Sequence, residues 1–404
     1  MTIMTASLLA SVELAPRDPI LGLTEQFNAD KNPKKVNLGI GVYTDEKGKV
    51  PLLECVSTAE SHLLAQAAPH SYLPIDGLPA YDKAVQSLVF GADSPAVKES
   101  RIVTVQALGG TGGLKIGADF LRRIAPKADV YISDPSWENH RALFTDAGFT
   151  VNTYPYYDPR THGVDFDAML AGLRKIPSGS IAVLHACCHN PTGVDLTPDQ
   201  WTSVIEVVDS RGLVPFLDIA YQGFGEGIDI DGAAVRRFAQ AGLPVFVSNS
   251  FSKSFSLYGE RVGALSVVTQ SGEEGVRVLS QIKRLVRTNY SNPPSHGGHV
   301  IAKILTTLDL RALWETELGQ MRDRIRTMRS LLVEKIHSRV PGADFSFILR
   351  QKGMFSYSGL TQQQVVRMRE EFGVYAIESG RICVAALNMG NIDYAADAVA
   401  KVLK

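Results

Sequence analysis

The sequence predicts an α/β protein in which helices cover a mostly parallel sheet, together with a smaller α+β domain. Six short apolar runs lie between residues 101 and 268, each bounded by Gly, Pro, Asp or Asn. Continuous rather than alternating apolarity indicates strands that are buried on both faces. Amphipathic stretches separate the runs, and this alternation of strands and helices favours a parallel sheet.

The predicted strands and helices follow one another along the chain. Strands are predicted at residues 101–108, 129–134, 180–188, 213–220, 244–250 and 262–268. Helices are predicted between them at residues 112–124, 137–147 and 198–211. Thr197 and Pro198 supply a suitable cap and first turn for the last of these helices.

The C-terminal part has a different pattern. Apolar residues from Trp314 to Ile336 recur every three or four positions, which predicts one long amphipathic helix packed on the core. After it, the sequence predicts strands near 344–358 and 374–385 and helices near 361–372 and 391–403. Residues 15–45 have no core of their own, so we expect them to join this small domain or to reach a partner.

These patterns divide the chain into three expected parts. Residues 1–48 form an N-terminal arm and part of the small domain, residues 49–310 form the large domain, and residues 311–404 form the small C-terminal domain. The chain has 404 residues, which at about 100–200 residues per domain agrees with a large domain and a smaller one.

Charge and cysteine content exclude several classes of protein. The 41 basic and 42 acidic residues give a net charge of −1, so the chain has no electrostatic footprint for nucleic acid or an anionic membrane. Four cysteines without CxxC spacing favour reduced thiols in a cytoplasmic protein. His185 and His189 have no further ligand set, so we expect them to pack and we predict no metal.

A glycine-rich turn follows the first predicted strand. The segment LGGTGGLKIGADF places this turn just before a helix, where free backbone N–H groups and the helix dipole favour an anion. Thr111 could add a hydroxyl donor. The spacing does not match a P-loop, and Lys115 or Ile116 stands where a GxGxxG motif would have its third glycine. Taken alone, the segment is compatible both with phosphate binding and with a tight turn that binds no ligand.

Polar side chains also follow two later strands. HACCHNPTG places Asn190 in a turn after one strand, and FLDIAYQGFG places Asp218 and Tyr221 at the end of the next. Ligands of open α/β sheets bind at the carboxyl ends of the strands. In isolation, a structural Asn-Pro turn and a helix cap would explain the same residues.

The most informative segment is SNSFSKSFSLYGERVG. Lys253 comes just after a strand, among small hydroxyl residues and aromatics. A lysine in a partly apolar pocket has a lowered pKa and can form a Schiff base. Ser250 and Arg261 could bind a phosphate near it. On this segment alone, an exposed loop lysine is the alternative.

Together the four segments fit one cofactor, pyridoxal 5′-phosphate. The glycine-rich helix start and the two phosphate donors could hold its phosphate, and Asp218 could hold its protonated ring nitrogen. Asn190 and Tyr221 could hydrogen-bond its phenolic oxygen, and Lys253 could form the imine. Agreement among four separate segments is stronger than any one of them.

The motifs resemble those of class I aminotransferases of the aspartate/aromatic subgroup, which have pyridoxal-phosphate fold type I. SFSKSFSLYGERVG, HACCHNPTG, GGTGG, ISDPSWENH and RTNYSNPP carry the resemblance, which extends from about Pro16 to the C-terminus. It implies an enzyme that transaminates amino acids and 2-oxo acids in ping-pong order, with pyridoxal and pyridoxamine forms of the cofactor. It also implies a homodimer with shared active sites.

The resemblance implies a role for each matching residue. Lys253 matches the Schiff-base and proton-transfer lysine, and Tyr72, Asp218 and Tyr221 complete the catalytic set. The implied cofactor contacts are Gly109, Gly110, Thr111, Trp137, Asn190, Asp218, Tyr221, Ser250, Lys253, Arg261 and Tyr72. Trp137 matches the residue that stacks on the ring, and Tyr72 matches a tyrosine that reaches the neighbouring subunit's phosphate. The implied substrate contacts are Gly41, Trp137, Asn190, Arg287 and Arg381.

Substrate choice rests on the same resemblance. Arg381 matches the arginine that binds the substrate α-carboxylate, and Arg287 matches a second arginine, donated across the dimer to dicarboxylic substrates. The segment GVYTDEKGKVP, with Thr44 and Val50, looks less polar than in strictly aspartate-directed members. We expect an aromatic amino acid:2-oxoglutarate aminotransferase that acts on tyrosine and phenylalanine and retains aspartate activity. An aspartate:2-oxoglutarate aminotransferase is the alternative.

Three further classes of protein compete with this prediction. A pyridoxal-phosphate lyase, decarboxylase or synthase would keep the cofactor, but Arg287 and Arg381 together favour a two-substrate transaminase. A non-catalytic regulator needs a DNA-binding extension, and the roughly 15 residues before the matched region are not basic. A NAD-dependent dehydrogenase has little support from the imperfect GxGxxG.

Overall fold

The computed structural model describes residues 7–15 and 21–404. The strands in chain order are β1 (Val36–Asn37), β2 (Ile102–Leu108), β3 (Val130–Asp134), β4 (Val151–Pro155), β5 (Tyr157–Asp158), β6 (Gly163–Val164), β7 (Ile181–His185), β8 (Val214–Ile219), β9 (Val245–Ser250), β10 (Val262–Val268), β11 (Phe355–Tyr357), β12 (Val374–Tyr375) and β13 (Arg381–Cys383).

Helices connect these strands and extend the chain beyond them. They are α1 (Leu21–Ala29), α2 (Glu54–Ala65), α3 (Pro79–Phe90), α4 (Pro95–Lys98), α5 (Gly109–Ile124), α6 (Glu138–Asp146), α7 (Phe166–Lys175), α8 (Pro198–Ser210), α9 (Ile228–Asp231), α10 (Ala233–Gln240), α11 (Gly272–Asn289), α12 (Ser295–Thr306), α13 (Leu308–Arg339), α14 (Gln362–Phe372) and α15 (Ile392–Val402). Within the described ranges, none of them is long and apolar enough to cross a membrane.

A seven-stranded sheet forms the centre of the molecule. Its strand order is β2-β10-β9-β8-β7-β3-β4. Strand β10 is antiparallel to both of its neighbours, and the remaining pairs are parallel. The predicted mostly parallel α/β sheet is therefore confirmed.

Helices cover both faces of this sheet, as the continuous apolar runs predicted. Phe216 and Leu217 are neighbours on β8, yet they belong to two different buried clusters on opposite sides of the sheet. Because successive side chains of a strand point to opposite faces, both faces must be buried for both residues to be buried. Each of these side chains is fully buried.

The predicted element boundaries differ from the structure in three informative places. The run 180–188 leaves the sheet after His185, because the backbone N–H groups of Cys188 and His189 donate to the Asp195 carboxylate and turn the chain. Helix α5 begins three residues earlier than expected, within the glycine-rich segment. The amino-acid sequence does not predict edge strand β4, because the partly polar segment VNTYP has no continuous apolar run.

The predicted cap of α8 is present, since Thr197 forms a capping box with Gln200. The C-terminal elements include α13, the long helix that the apolar stripe predicted. Strand β1 pairs with β12, so Val36 and Asn37 lie beside Val374 and Tyr375 of the C-terminal part. The strand expected near 344–358 is reduced to β11, because residues 346–350 form a 3-10 turn. One buried cluster extends through both parts of the chain, and the boundaries at 48/49 and 310/311 stay a prediction.

Candidate active site

A cavity of about 440 Å³ opens at the carboxyl ends of β7, β8 and β9. Ten of the predicted site residues line it: Gly41, Gly110, Thr111, Trp137, Asn190, Asp218, Tyr221, Ser250, Lys253 and Arg261. The strand register explains this convergence, since Asp218 lies beside His185 of β7 on one side and Ser248 of β9 on the other. Residues far apart in sequence therefore meet at one edge of the sheet.

Lys253 is the basic group at the centre of the cavity. Its Nζ lies 5.0 Å from the centre of the Tyr221 ring. Burial lowers the pKa of Lys253 to about 8, with Arg261 and Arg381 adding to the decrease and Asp218 opposing it. A lysine with a pKa near neutrality supplies the neutral amine that nucleophilic and general-base chemistry require.

Asp218 is a buried carboxylate that remains ionised. Its Oδ2 accepts a hydrogen bond of 3.0 Å from Nε2 of His140, and His140 Nδ1 lies 2.9 Å from the Ser136 hydroxyl. With Nε2 as the donor, Nδ1 accepts from Ser136. Burial raises the pKa of Asp218, but the hydrogen bond from His140 and the nearby Lys253 oppose this effect, and the pKa lies below its usual value.

The first turn of α5 forms an anion cradle beside these groups. Leu108 precedes the helix and offers no side-chain cap. The N–H of Gly109 donates to the Arg261 carbonyl at 3.0 Å, so the N–H groups that follow it in the first turn are the ones available to an anion. Gly109 has φ of +68°, and a Cβ there would lie 2.5 Å from Nη2 of Arg261. Arg261 itself donates to the Ser252 hydroxyl and the Tyr258 carbonyl. Glycine at 109 thus lets the arginine approach the helix start closely.

Two hydrogen-bonding groups and one aromatic ring complete this part of the cavity. Asn190 and Tyr221 are both buried, and both line the cavity. Burial raises the pKa of the Tyr221 hydroxyl, so it stays protonated and can donate. Trp137 immediately precedes α6, and its ring lies 5.3 Å from that of His140.

Arg381 lies directly behind the cavity wall. Its Nη1 donates to Asn190 Oδ1 at 3.1 Å, and its Nη2 donates to the Gly39 carbonyl at 2.8 Å. The side chain is 1% exposed, and its Nε has no hydrogen-bond partner in the described structure. A buried guanidinium with an unsatisfied donor and no carboxylate partner is suited to bind an anion.

The structure does not bring Tyr72 or Arg287 into this chain's own cavity. Tyr72 is 91% exposed. Arg287 is exposed near the end of α11, where Nη1 donates to the Ser291 hydroxyl. Both residues stay candidates for the role that the resemblance implies, at a site to which two subunits contribute.

Sequence reasoning missed several residues of the cavity. The additional lining residues are Ile40, Leu114, His185, Ala220, Ser252 and Tyr258. The sequence predicts only a packing role for His185, but this residue lines the cavity, and its Nε2 is buried without a hydrogen-bond partner among the described residues. His140 contacts Asp218 from α6, and only its position three residues after Trp137, one helical turn away, could have signalled this.

The geometry can accommodate each polar group of pyridoxal phosphate. The α5 cradle suits a phosphate, Asp218 suits a protonated ring nitrogen, Asn190 and Tyr221 suit a phenolic oxygen, and Lys253 suits the aldehyde carbon. These groups surround one cavity on a sheet covered on both faces. Fold and site together define a pyridoxal-phosphate enzyme of fold type I.

Comparison with known proteins specifies the family. Residues 33–399 match the family model described as aminotransferase class I and II, and the chain belongs to this family. An aspartate aminotransferase of Pseudomonas aeruginosa is 60% identical over 397 residues, which are 98% of this chain and 100% of that protein. An aromatic-amino-acid aminotransferase of Escherichia coli is 54% identical over 389 residues, or 96% of this chain and 98% of that one.

A solved structure is similarly close. The crystal structure of an aromatic-amino-acid aminotransferase from Burkholderia pseudomallei, covalently bound to pyridoxal phosphate, has a TM-score of 0.97 and 65% identity. The match covers 99% of this chain and 100% of that one. The protein is therefore an aminotransferase that uses pyridoxal phosphate and acts on amino acids and 2-oxo acids.

Proposed function

We propose that this aminotransferase transfers the amino group of tyrosine or phenylalanine to 2-oxoglutarate and also accepts aspartate. The observation that carries the catalytic proposal is the convergence of Lys253, Asp218 and Asn190 on one cavity. Apolar and aromatic lining residues, among them Ile40 and Tyr258, support an aromatic substrate. The similar proteins include both aromatic and aspartate enzymes.

The proposed chemistry assigns a proton-handling task to each polar residue. The bound cofactor supplies an electron sink that stabilises negative charge at the substrate α-carbon. Lys253 would hold the cofactor, and its amine would move a proton to or from that carbon. The ionised Asp218, supported by His140, keeps a proton on the ring nitrogen.

The remaining cavity residues bind and orient. Asn190 and Tyr221 would hydrogen-bond the phenolic oxygen, and Trp137 would pack on the ring. Arg381 binds the α-carboxylate together with the backbone at Gly41, because its planar fork matches a carboxylate. The phosphate is held at the α5 cradle by the residues Gly109, Gly110, Thr111, Ser250 and Arg261.

We propose a homodimer in which Tyr72 and Arg287 complete the partner's site. Both side chains lie at the surface of their own subunit. Large exposed apolar side chains are found in the N-terminal half, including Leu14, Leu52 and Leu64, and such surface favours association. We also propose a cytoplasmic location, supported by four cysteines that are free and buried rather than paired.

A half-reaction titration tests the substrate proposal. Purified enzyme with bound cofactor is mixed separately with phenylalanine, tyrosine and aspartate, and the change in cofactor absorbance gives kcat/KM for each donor. We expect each donor to bleach the absorbance and 2-oxoglutarate to restore it. The aromatic donors should match or exceed aspartate.

An aspartate-directed enzyme is the second candidate. The 60% identity to an aspartate aminotransferase over nearly the whole chain favours it. In the same titration, a kcat/KM for aspartate that is higher by orders of magnitude would establish this candidate instead. Release of ammonia or carbon dioxide without a requirement for a 2-oxo acid would contradict both.

A further inference from the structure

A second buried arginine lies behind the proposed carboxylate site. Arg329 is on α13 and is 4% exposed. Among the described residues, no carboxylate forms an ion pair with it. Burial lowers its pKa to about 10, so the guanidinium is still charged at neutral pH. A buried, unpaired charge is destabilising unless its hydrogen bonds are well used.

The hydrogen bonds of Arg329 all go to one short segment. Nη2 donates to the carbonyls of Gly353 at 2.7 Å and Phe355 at 3.2 Å, and Nε donates to the Ser356 hydroxyl at 3.3 Å. Three bonds from one rigid group fix the position of this backbone. The segment leads into β11, which pairs with β13 so that Tyr357 lies opposite Arg381.

Phe355 connects this segment to the substrate site. Its ring centre lies 4.3 Å from Cζ of Arg381, within the range of a cation–π contact. A Cβ on Gly41 would lie 2.7 Å from Cζ of Phe355, and the ring meets that of Tyr221 edge to face at 5.8 Å. The Phe355 ring is therefore the surface on which Arg381 rests.

We propose that Arg329 is a positioning residue for the α-carboxylate subsite and acts through Phe355 on Arg381. The inference rests on the proposed function, in which Arg381 binds the substrate carboxylate. Arg329 does not line the cavity of the candidate active site; it borders a separate cavity with Glu226 and Gly353. Its effect is to hold the backbone that places the Phe355 ring under the Arg381 guanidinium, and so to fix the direction in which that guanidinium faces.

The test uses Arg329→Lys, which keeps the charge but cannot reach three acceptors with a planar fork. We expect the KM of the amino acid donor and the Kd of 3-phenylpropanoate, a carboxylate without an amino group, both to rise about tenfold or more, with a much smaller change in kcat. The Kd is measured from the absorbance of bound pyridoxal phosphate. The rate at which hydroxylamine, a nucleophile without a carboxylate, attacks the bound cofactor should be unchanged.

Two further variants keep the result interpretable. Arg339→Lys lies on the same helix, and its guanidinium contacts only the Lys335 carbonyl and Asp393 among the described residues, so it should behave as wild type. Phe355→Leu removes the aromatic ring that contacts the Arg381 guanidinium and should reproduce the loss of carboxylate binding. If Arg329→Lys does not fold, the affinity of Phe355→Leu for 3-phenylpropanoate tests the contact through which Arg329 is proposed to act.

Two outcomes would overturn the inference. One is an unchanged Kd for 3-phenylpropanoate, and the other is an equal loss of hydroxylamine reactivity, which would indicate general damage. Arg381→Lys, measured in parallel, separates this inference from the proposed function. If Arg381→Lys itself leaves carboxylate binding intact, the proposed substrate site is wrong; if only Arg329→Lys does so, the positioning role alone is wrong.

Discussion

The side chain of Lys253 is held in surroundings that disfavour its charge, and this has a consequence for stability. Its folded pKa of about 8 lies below the ordinary value of 10.5, so the folded chain binds fewer protons than the unfolded chain between these values. The resulting penalty is present in full below pH 8 and disappears as the pH rises through 10.5. We expect Lys253→Met to raise the Tm of the cofactor-free protein by about 2–5 °C at pH 7.

The measurement is thermal unfolding of the cofactor-free protein at pH 7 and near pH 10.5. The gain should shrink at the higher pH, where the wild-type lysine is largely neutral in the folded state and half neutral in the unfolded chain. Lys127→Met, at an exposed position after α5, should change neither value. A Tm at pH 7 that is unchanged or lower in Lys253→Met would refute the proposed penalty.

His140 should control the acid limit of activity through Asp218. Its hydrogen bond helps hold the pKa of Asp218 below the usual value, so the carboxylate stays ionised as the pH falls. In His140→Asn this support is lost, the pKa of Asp218 rises, and the acid limb of the kcat profile should move to higher pH. The control is His162→Asn, which removes a histidine that stacks on Phe347. If the acid limb of His140→Asn is the same as that of the wild type, His140 does not control the ionisation of Asp218.

The start of helix α5 is adapted as a unit to approach an anion. Gly109 has a positive φ, and a Cβ there would collide with Arg261. Gly109→Ala should therefore weaken binding of pyridoxal phosphate about tenfold, because the left-handed backbone is strained by ~1–2 kcal/mol and the arginine must move. Equilibrium dialysis measures the change. The control is Gly259→Ala, where a Cβ meets open space, and it should bind pyridoxal phosphate with wild-type affinity. If the two variants bind pyridoxal phosphate equally well, Gly109 is not required at the start of α5.

The elements also explain which features the sequence could predict. Apolar runs identified β7, β8 and β9, and because parallel strands end at one edge, the sequence pattern alone placed Asn190 and Asp218 together. His140 could not be predicted in this way, because its contact with Asp218 depends on how α6 packs on the sheet. Strand β4 lacked a signal because an edge strand is buried less completely. The positions of Arg329 and Phe355 likewise depend on tertiary contacts that no local pattern encodes.

The assembled protein is where Tyr72 and Arg287 acquire a function in the proposal. Each lies away from the cavity of its own subunit, so an isolated subunit would bind dicarboxylic substrates without its second arginine. If the site is shared, a Lys253→Ala subunit and an Arg287→Ala subunit can complement each other in a mixed dimer. One of the two sites then has both wild-type residues, and the other has neither.

This arrangement gives a quantitative expectation for aspartate as the donor. Each variant alone should be nearly inactive with aspartate, whereas random reassortment of an equal mixture should restore about one quarter of wild-type activity, since half of the dimers are mixed and half of their sites are intact. The variants are mixed, reassorted in mild denaturant, refolded with the cofactor and assayed. Mixing Lys253→Ala with Asp218→Asn is the control, because both residues belong to one subunit's cavity and every mixed dimer has two damaged sites. Recovery of activity in that control would contradict the placing of Lys253 and Asp218 in one cavity. If the mixture of Lys253→Ala and Arg287→Ala recovers no activity, Arg287 serves its own subunit and the proposal of a shared site is wrong.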